Sequence, residues 1–302
     1  MKKFFKIFIL LFFIVSNFSI KVKAATNEDY IKEMKRDILS LMLAYPEYVK
    51  NVEKDSNGNV YIIMKSGKKI LYDDKKEKSH AEKLNNPDIQ DMMEQYYPLT
   101  KNNAVMDTDF DPGRARNYDL LTEVYGGSRS QIEKNLSALK YGYTNYQFNS
   151  KNYANTSLEN ALKEVMPLSK SRNDIGAILY PASGTYNYRV ISGTGRLSPH
   201  SFGIAIDLKS DPRDYWKWSS KEKGTSRILE YPTELVEAFE KNNFVWGGKW
   251  SHFDILHFEY RPEIILKAKY FSDNKNSSNW FDGAPLDDEN TQNYIKLIDE
   301  NL

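Results

Sequence analysis

The sequence has 302 residues, a formal net charge of +1 and no cysteine. This length suits one large domain with appendages or two small domains. The chain has no polybasic footprint, which argues against a nucleic-acid partner. Without cysteine, a disulfide, a thiolate metal site, a cysteine nucleophile and a lipidated cysteine anchor are all excluded.

Residues 1–24 have the pattern of a secretory signal peptide. Three lysines fall within the first six residues, an apolar run covers 7–15, and small residues at 22 and 24 suit a cleavage site. The apolar run is short for a transmembrane span, although an uncleaved anchor stays open as an alternative. Removing the segment changes the formal charge from +1 to −4, since it holds five lysines and no acid. We therefore expect a secreted, cell-wall-associated protein without stable membrane insertion.

We expect residues 25–100 to form an N-terminal extension, and this segment contains no catalytic signature. Apolar spacing predicts a helix over 26–48, with Thr26 or Asn27 as its cap. Two short apolar runs, 60–64 and 69–72, predict a β-hairpin. The densely charged stretch 73–83 predicts a solvated loop. We place a boundary near residue 100.

We expect residues 101–271 to form the main domain and residues 272–302 to form a C-terminal tail. Helices are predicted over 128–139, 157–168 and 232–242, and strands over 175–179, 186–191, 204–208, 244–246 and 258–260. The tail begins with a polar segment, and a last helix is predicted over 287–300.

Two stretches concentrate the chemistry, SPHSFGIAID at 198–207 and SHFDILHFE at 251–259. They hold three of the four histidines of the chain. The seven residues from His200 to Asp207 would span about 23 Å if extended. A straight strand cannot bring both side chains to one ion. Pro199 and Gly203 therefore predict a bend that carries His200 back over the strand that carries Asp207.

Two imidazoles and one carboxylate, from His200, His257 and Asp207, match the make-up of a catalytic zinc site with a free position for water. The competing interpretation is that each histidine is structural. Asp254, three residues before His257, is placed to act as the general base. It could instead be a surface aspartate, or a carboxylate that orients His252.

Other residues near the two stretches have candidate roles. Glu259 could bond the second ring nitrogen of His257, or pair with an arginine such as Arg261. We expect His252 to support the site from its rim. Either Arg189 or Arg196 could bind a substrate carboxylate or the developing oxyanion; we favour Arg189, with a structural salt bridge as the alternative. Candidate substrate-binding residues are Ser198, Arg196 and Trp250.

Together, residues 188–208, 246–250 and 254–259 resemble the M15 zinc D-alanyl-D-alanine carboxypeptidases. This family includes VanY-like enzymes and L-alanyl-D-glutamate peptidases of phages and bacilli, within a wider group that contains lysostaphin and the hedgehog signalling domain. The resemblance covers roughly residues 105–265. It implies a small α+β domain in which an antiparallel sheet carries zinc and is flanked by helices, with His200, Asp207 and His257 as ligands and Asp254 as base. The spacing of Arg189 is shorter than the family's usual arginine spacing.

The resemblance implies a secreted, monomeric zinc metallopeptidase that hydrolyses the stem peptides of peptidoglycan. Removal of the terminal D-alanine is the favoured reaction. Cleavage of the L-alanyl-D-glutamate bond is the alternative within the same class. A zinc-containing wall-binding module without catalysis is the alternative from another class, but it would have no use for a base at Asp254.

Overall fold

The computed structural model describes residues 27–302. The predicted signal peptide and the cap at Thr26 lie outside the described residues. No helix in the described part is long and apolar enough to cross a membrane.

Short helices make up most of the regular structure between residues 27 and 302. They are α1 (Asn27–Ala44), α2 (His80–Asn85), α3 (Ile89–Met93), α4 (Tyr118–Tyr125), α5 (Arg129–Lys134), α6 (Ala154–Leu168), α7 (Asn173–Leu179), α8 (Pro199–Phe202), α9 (Lys221–Leu229), α10 (Thr233–Lys241), α11 (Pro262–Phe271) and α12 (Glu289–Asn301).

The strands form small antiparallel sheets, which confirms the predicted α+β class. They are β1 (Val49–Lys54), β2 (Val60–Met64), β3 (Lys69–Leu71), β4 (Leu136–Tyr141), β5 (Thr144–Asn149), β6 (Ala205–Asp207), β7 (Phe244–Trp246) and β8 (His257–Tyr260). The sheet orders are β1-β2-β3, β4-β5 and β6-β8-β7. The third sheet brings together the two stretches that concentrate the chemistry.

The N-terminal segment packs on the rest of the chain through one continuous hydrophobic core. Helix α1 lies against α11, and buried polar contacts join them. The Tyr45 hydroxyl donates to Glu263 at 2.7 Å. Lys267 pairs with Asp37 at 2.5 Å. Glu263 has no solvent exposure, and it pairs in turn with the equally buried Arg261 at 2.7 Å.

Most predicted elements form close to their expected bounds, namely the first helix, the hairpin, the helices at 157–168, 232–242 and 287–300, and the strands at 204–208, 244–246 and 258–260. The prediction of a strand at 175–179 is wrong. This segment belongs to helix α7, whose buried residues Ile175, Ile178 and Leu179 follow helical spacing.

Three further predictions need correction. Residues 186–191 form no strand, because only one isolated bridge, between Val190 and Leu197, gives this segment a pairing partner. The helix predicted over 128–139 ends at Lys134, and β4 follows. The charged stretch 73–83 is not a loop throughout, because Ser79 caps α2 with a capping box.

Candidate active site

His200 lies on the bend predicted from its flanking residues. Ser198 caps the single turn of α8, and its buried hydroxyl accepts a hydrogen bond from the His200 backbone N–H at 3.3 Å. Pro199 is the first helical residue, and Gly203 ends the turn with a left-handed φ of +68°. Ser198 therefore fixes the loop, while a role in substrate binding stays a prediction.

Asp207 and His257 are placed by strand pairing. They are directly opposite each other in the antiparallel pair β6-β8. Opposite residues on adjacent strands lie close together on the same face of a sheet. The register therefore sets Asp207 beside His257, and α8 folds His200 over the same point.

Three donor atoms converge there. Asp207 Oδ1 lies 2.9 Å from His257 Nδ1 and 3.2 Å from His200 Nε2, and the two histidine nitrogens are 3.2 Å apart. His200 Nδ1 is 2.6 Å from the Thr185 carbonyl oxygen, which must accept its proton. His257 Nε2 lies 3.5 Å from Glu259 Oε2. Protons held on these outer nitrogens leave a lone pair on each inner one.

Two lone pairs and a carboxylate oxygen at one point repel each other unless a cation lies between them. In the metal-free protein a proton takes this part. Burial works against the charged imidazole, but the hydrogen bond to Asp207 and the nearby carboxylate of Glu259 raise the pKa of His257 to about 10. The pKa of Asp207 falls far below its usual range, because its two histidine partners outweigh burial. The donor set and its electrostatics therefore fit a metal ion.

Glu259 supports His257 from behind the cluster. Its side chain is fully buried and pairs with Arg116, whose Nε lies 2.8 Å from Oε1. Arg261 contacts the same carboxylate at 3.6 Å. These arginines outweigh burial and hold the pKa of Glu259 well below its usual range. Both interpretations of Glu259 thus describe real contacts, although its main partner, Arg116, was missed in the sequence.

Asp254 lies one turn from the cluster, since its carbonyl oxygen accepts the His257 backbone N–H at 3.0 Å. Its own N–H donates to the Gly247 carbonyl oxygen at 3.0 Å. A Cβ on Gly247 would lie 2.3 Å from the Asp254 oxygen, so this approach requires glycine. Burial raises the pKa of the partly exposed Asp254 to about 6. A carboxylate with this pKa is a stronger base than an ordinary aspartate and is still largely ionised at neutral pH.

Arg114 is a second residue that the sequence did not single out. Its guanidinium lies 6.0 Å from the Trp250 ring, which is itself 5.8 Å from the His257 ring. Burial lowers the pKa of Arg114, and nearby acids, first Asp111 and more weakly Asp254, oppose this effect. Among residues 27–302 no hydrogen bond or ion pair engages its side chain. Trp250 is buried and donates to the Pro112 carbonyl oxygen, so it packs beneath the site.

The remaining predicted residues lie elsewhere. The side chain of Arg189 is exposed and has no ion pair in the described part of the chain. Arg196 is half-buried near Arg116, and its Nε lacks a hydrogen-bond partner. His252 contacts Asp111 at 2.6 Å instead of the three-donor cluster.

Residues 192–260 match a family model described as D-alanyl-D-alanine carboxypeptidase, of the M15 peptidases. The match supports an M15-family peptidase. The M15 subtype is not resolved by this match. The matched segment contains His200, Asp207, Asp254 and His257, but not Arg114. Comparison with curated proteins and with solved structures gives no match.

Proposed function

We propose that this protein is an exported zinc metallopeptidase that removes the terminal D-alanine from peptidoglycan stem peptides. One observation carries the proposal. Within the segment that matches the M15 family, three donor atoms lie within 3.2 Å of one another, and Asp254 lies one turn before His257. Zinc, substrate and export are all parts of this proposal.

His200 Nε2, Asp207 Oδ1 and His257 Nδ1 would hold the metal. Two imidazoles favour zinc over calcium or magnesium, which prefer oxygen ligands. A bound zinc ion supplies Lewis acidity, which lowers the pKa of water and polarises a carbonyl group. Metal binding requires a lone pair on His200 Nε2 and on His257 Nδ1. The Thr185 carbonyl oxygen favours the proton on His200 Nδ1, and Glu259 favours the proton on His257 Nε2, so both rings have the tautomer that the metal needs.

Asp254 would move the proton. Hydrolysis breaks the peptide C–N bond and adds the elements of one water molecule. The Asp254 carboxylate accepts a proton from the attacking water and passes it to the nitrogen of the departing D-alanine. In the metal-free protein burial raises the pKa of Asp254, which makes its carboxylate a better proton acceptor than an exposed aspartate.

Arg114 supports the carboxypeptidase over the endopeptidase. A carboxypeptidase needs a fixed cation for the free carboxylate of its substrate, whereas an endopeptidase does not. The guanidinium of Arg114 makes no hydrogen bond or ion pair within residues 27–302, and it lies 6.0 Å from the Trp250 ring, which is 5.8 Å from the His257 ring. Guanidinium groups bind carboxylates with paired hydrogen bonds. In this proposal Arg114 binds the free carboxylate of the substrate, a role for which the sequence had favoured Arg189.

Mass spectrometry of purified muropeptides, incubated with and without a chelator, tests the proposal. We expect the wild type to release one alanine and the chelated protein to release none. The variant Asp254→Ala should keep its metal yet lose hydrolysis, whereas His200→Ala should lose both. Asp273→Ala, at an exposed aspartate, is the matched control and should behave as wild type. Release of a larger peptide would favour the L-alanyl-D-glutamate endopeptidase. Unchanged muropeptides with metal-loaded wild type would refute hydrolysis altogether.

A further inference from the structure

A second cluster of two histidines and one aspartate lies outside the three-donor cluster. His80 Nε2 and His252 Nδ1 lie 2.7 and 2.6 Å from the same oxygen, Asp111 Oδ2. The two imidazole rings are nearly parallel, with centroids 5.7 Å apart. All four histidines of the chain therefore belong to one of two His-Asp-His clusters.

The protein builds this cluster from three separate segments. His80 is the first residue of α2, Asp111 lies in the loop before α4, and His252 lies in the loop before β8. The backbone fixes the carboxylate, since Asp111 Oδ1 accepts the His252 N–H at 2.9 Å. The Asp111 N–H donates to the Gln95 side chain at 2.7 Å. The second oxygen of Asp111 is thereby held against both rings.

No lysine or arginine within residues 27–302 forms an ion pair with the negative charge of Asp111. Its side chain has no solvent exposure, and within residues 27–302 its only ion-pair partners are the two histidines. An ionised carboxylate is costly to bury without a compensating positive charge. Arg114 helps to lower the pKa of Asp111 but forms no ion pair with it. An imidazole in its neutral form would donate a hydrogen bond to Asp111 without bringing a charge. A divalent ion would bring that charge and accept the ring lone pairs.

From this geometry we propose a second zinc site, with His80 Nε2, Asp111 Oδ2 and His252 Nδ1 as its ligands. The donor set equals that of the catalytic cluster, two imidazoles and one carboxylate. Donors around a tetrahedral zinc ion lie about 3.3 Å apart, so each ring would move outward by about 0.7 Å. The side chains of His80 and His252 are 17% and 26% exposed, which leaves room for this movement and for water as a further ligand.

The site would join the N-terminal segment to the loops of the active site. His80 lies outside the matched segment, whereas His252 is two residues before Asp254, and Asp111 is three before Arg114. Trp216 packs edge-on against His252 at 4.6 Å and closes one side. Within residues 27–302, the other acids in the cleft beside His80 are Asp91 and Glu94, and lysines pair with both of them. We therefore infer that the ion is structural and holds α2 against the loops that carry Arg114 and Asp254.

Metal content of the full-length purified protein tests this inference independently of catalysis. After zinc loading and gel filtration, we expect about two zinc ions per chain in the wild type and about one in His80→Ala. Glu77→Ala, at an exposed acidic residue three positions earlier, is the control and should keep about two. His257→Ala should also keep about one, at the second site, so failure of the catalytic proposal would be seen separately.

Titration of the metal-free wild type with zinc against a competing chelator gives a second measurement that needs no variant. Two binding steps would support the proposal. A single step in the wild type that His80→Ala leaves unchanged would overturn it. In that case the cluster is a hydrogen-bonded bridge in which two neutral imidazoles donate to one carboxylate. If His80→Ala does not fold, the number of steps in the wild type decides the matter.

Discussion

Substitution of Gly203 by alanine should separate His200 from the metal-binding point. Gly203 has a φ of +68°, and an added Cβ would lie 2.6 Å from Leu136 Cδ2 and 3.2 Å from the Asn149 backbone nitrogen. A left-handed backbone costs a residue with a side chain about 1–2 kcal/mol. Overpacking of this kind adds about 1–3 kcal/mol. We expect Gly203→Ala to lower the free energy of unfolding by about 2–5 kcal/mol.

Two other glycines in the preceding loop provide matched controls. Gly193 has a similar φ of +77°, but no atom lies within 4 Å of an added Cβ. Gly193→Ala should therefore show the backbone cost alone, about 1–2 kcal/mol. Gly195 also has open space and lacks a left-handed φ, so Gly195→Ala should be close to neutral. Urea unfolding of the metal-free proteins measures all three.

Zinc affinity is the second readout for this series. Asn149 donates to the Gly203 carbonyl oxygen at 2.8 Å, so relief of the clash must shift the turn that holds His200. Gly203→Ala should weaken zinc binding in competition with a chelator, whereas Gly193→Ala and Gly195→Ala should not. Equal stability and equal affinity of Gly203→Ala and Gly193→Ala would refute the argument from close packing.

Three further predictions concern charge. The pKa of about 10 at His257 in the metal-free protein means that zinc displaces a proton, so affinity should fall about tenfold for each pH unit of acidification below this value; a zinc affinity that is flat from about pH 6 to 9 would contradict it. Arg114→Gln should lower kcat/KM about 10- to 100-fold for peptides with a free terminal carboxylate; amide-terminated peptides, the control, should change little, and equal losses on both would remove Arg114 from substrate binding. Glu259→Gln leaves Arg116 unpaired and should cost about 3–5 kcal/mol in urea unfolding; adding Arg116→Met should recover part of this loss, and strict additivity would argue against the pair.

The sequence predicted the geometry around His200 because local residues dictate it. An extended strand would place His200 and Asp207 too far apart to bind one ion. Pro199 and Gly203 are the residues in this stretch that favour a bend, and a bend brings the two side chains together. The bend formed as α8 with Ser198 as cap. The strand at 175–179 failed for a related reason, since a short apolar segment of α7 is compatible with both periodicities.

The rest of the site depends on tertiary contacts that no local pattern encodes. Arg114 lies far from both motif stretches in the sequence, and nothing in its neighbourhood indicates that Trp250 lies beside it. Arg116 is 143 residues from Glu259, with which it pairs. His80 appeared as an isolated histidine in a charged stretch. The oxygen that orients His200 belongs to Thr185, which lies between the two segments, 175–179 and 186–191, where strands were predicted.

The buried contacts from Tyr45 through Glu263 and Arg261 to Glu259 have a consequence for how the protein tolerates change. They connect Tyr45, directly after the first helix, to Glu259, whose Oε2 lies 3.5 Å from Nε2 of His257. None of these charged side chains has solvent exposure, so water cannot replace a lost partner. A random-mutagenesis library selected only for retention of the metal should therefore be depleted of changes at Glu263, although that residue lies outside the matched segment.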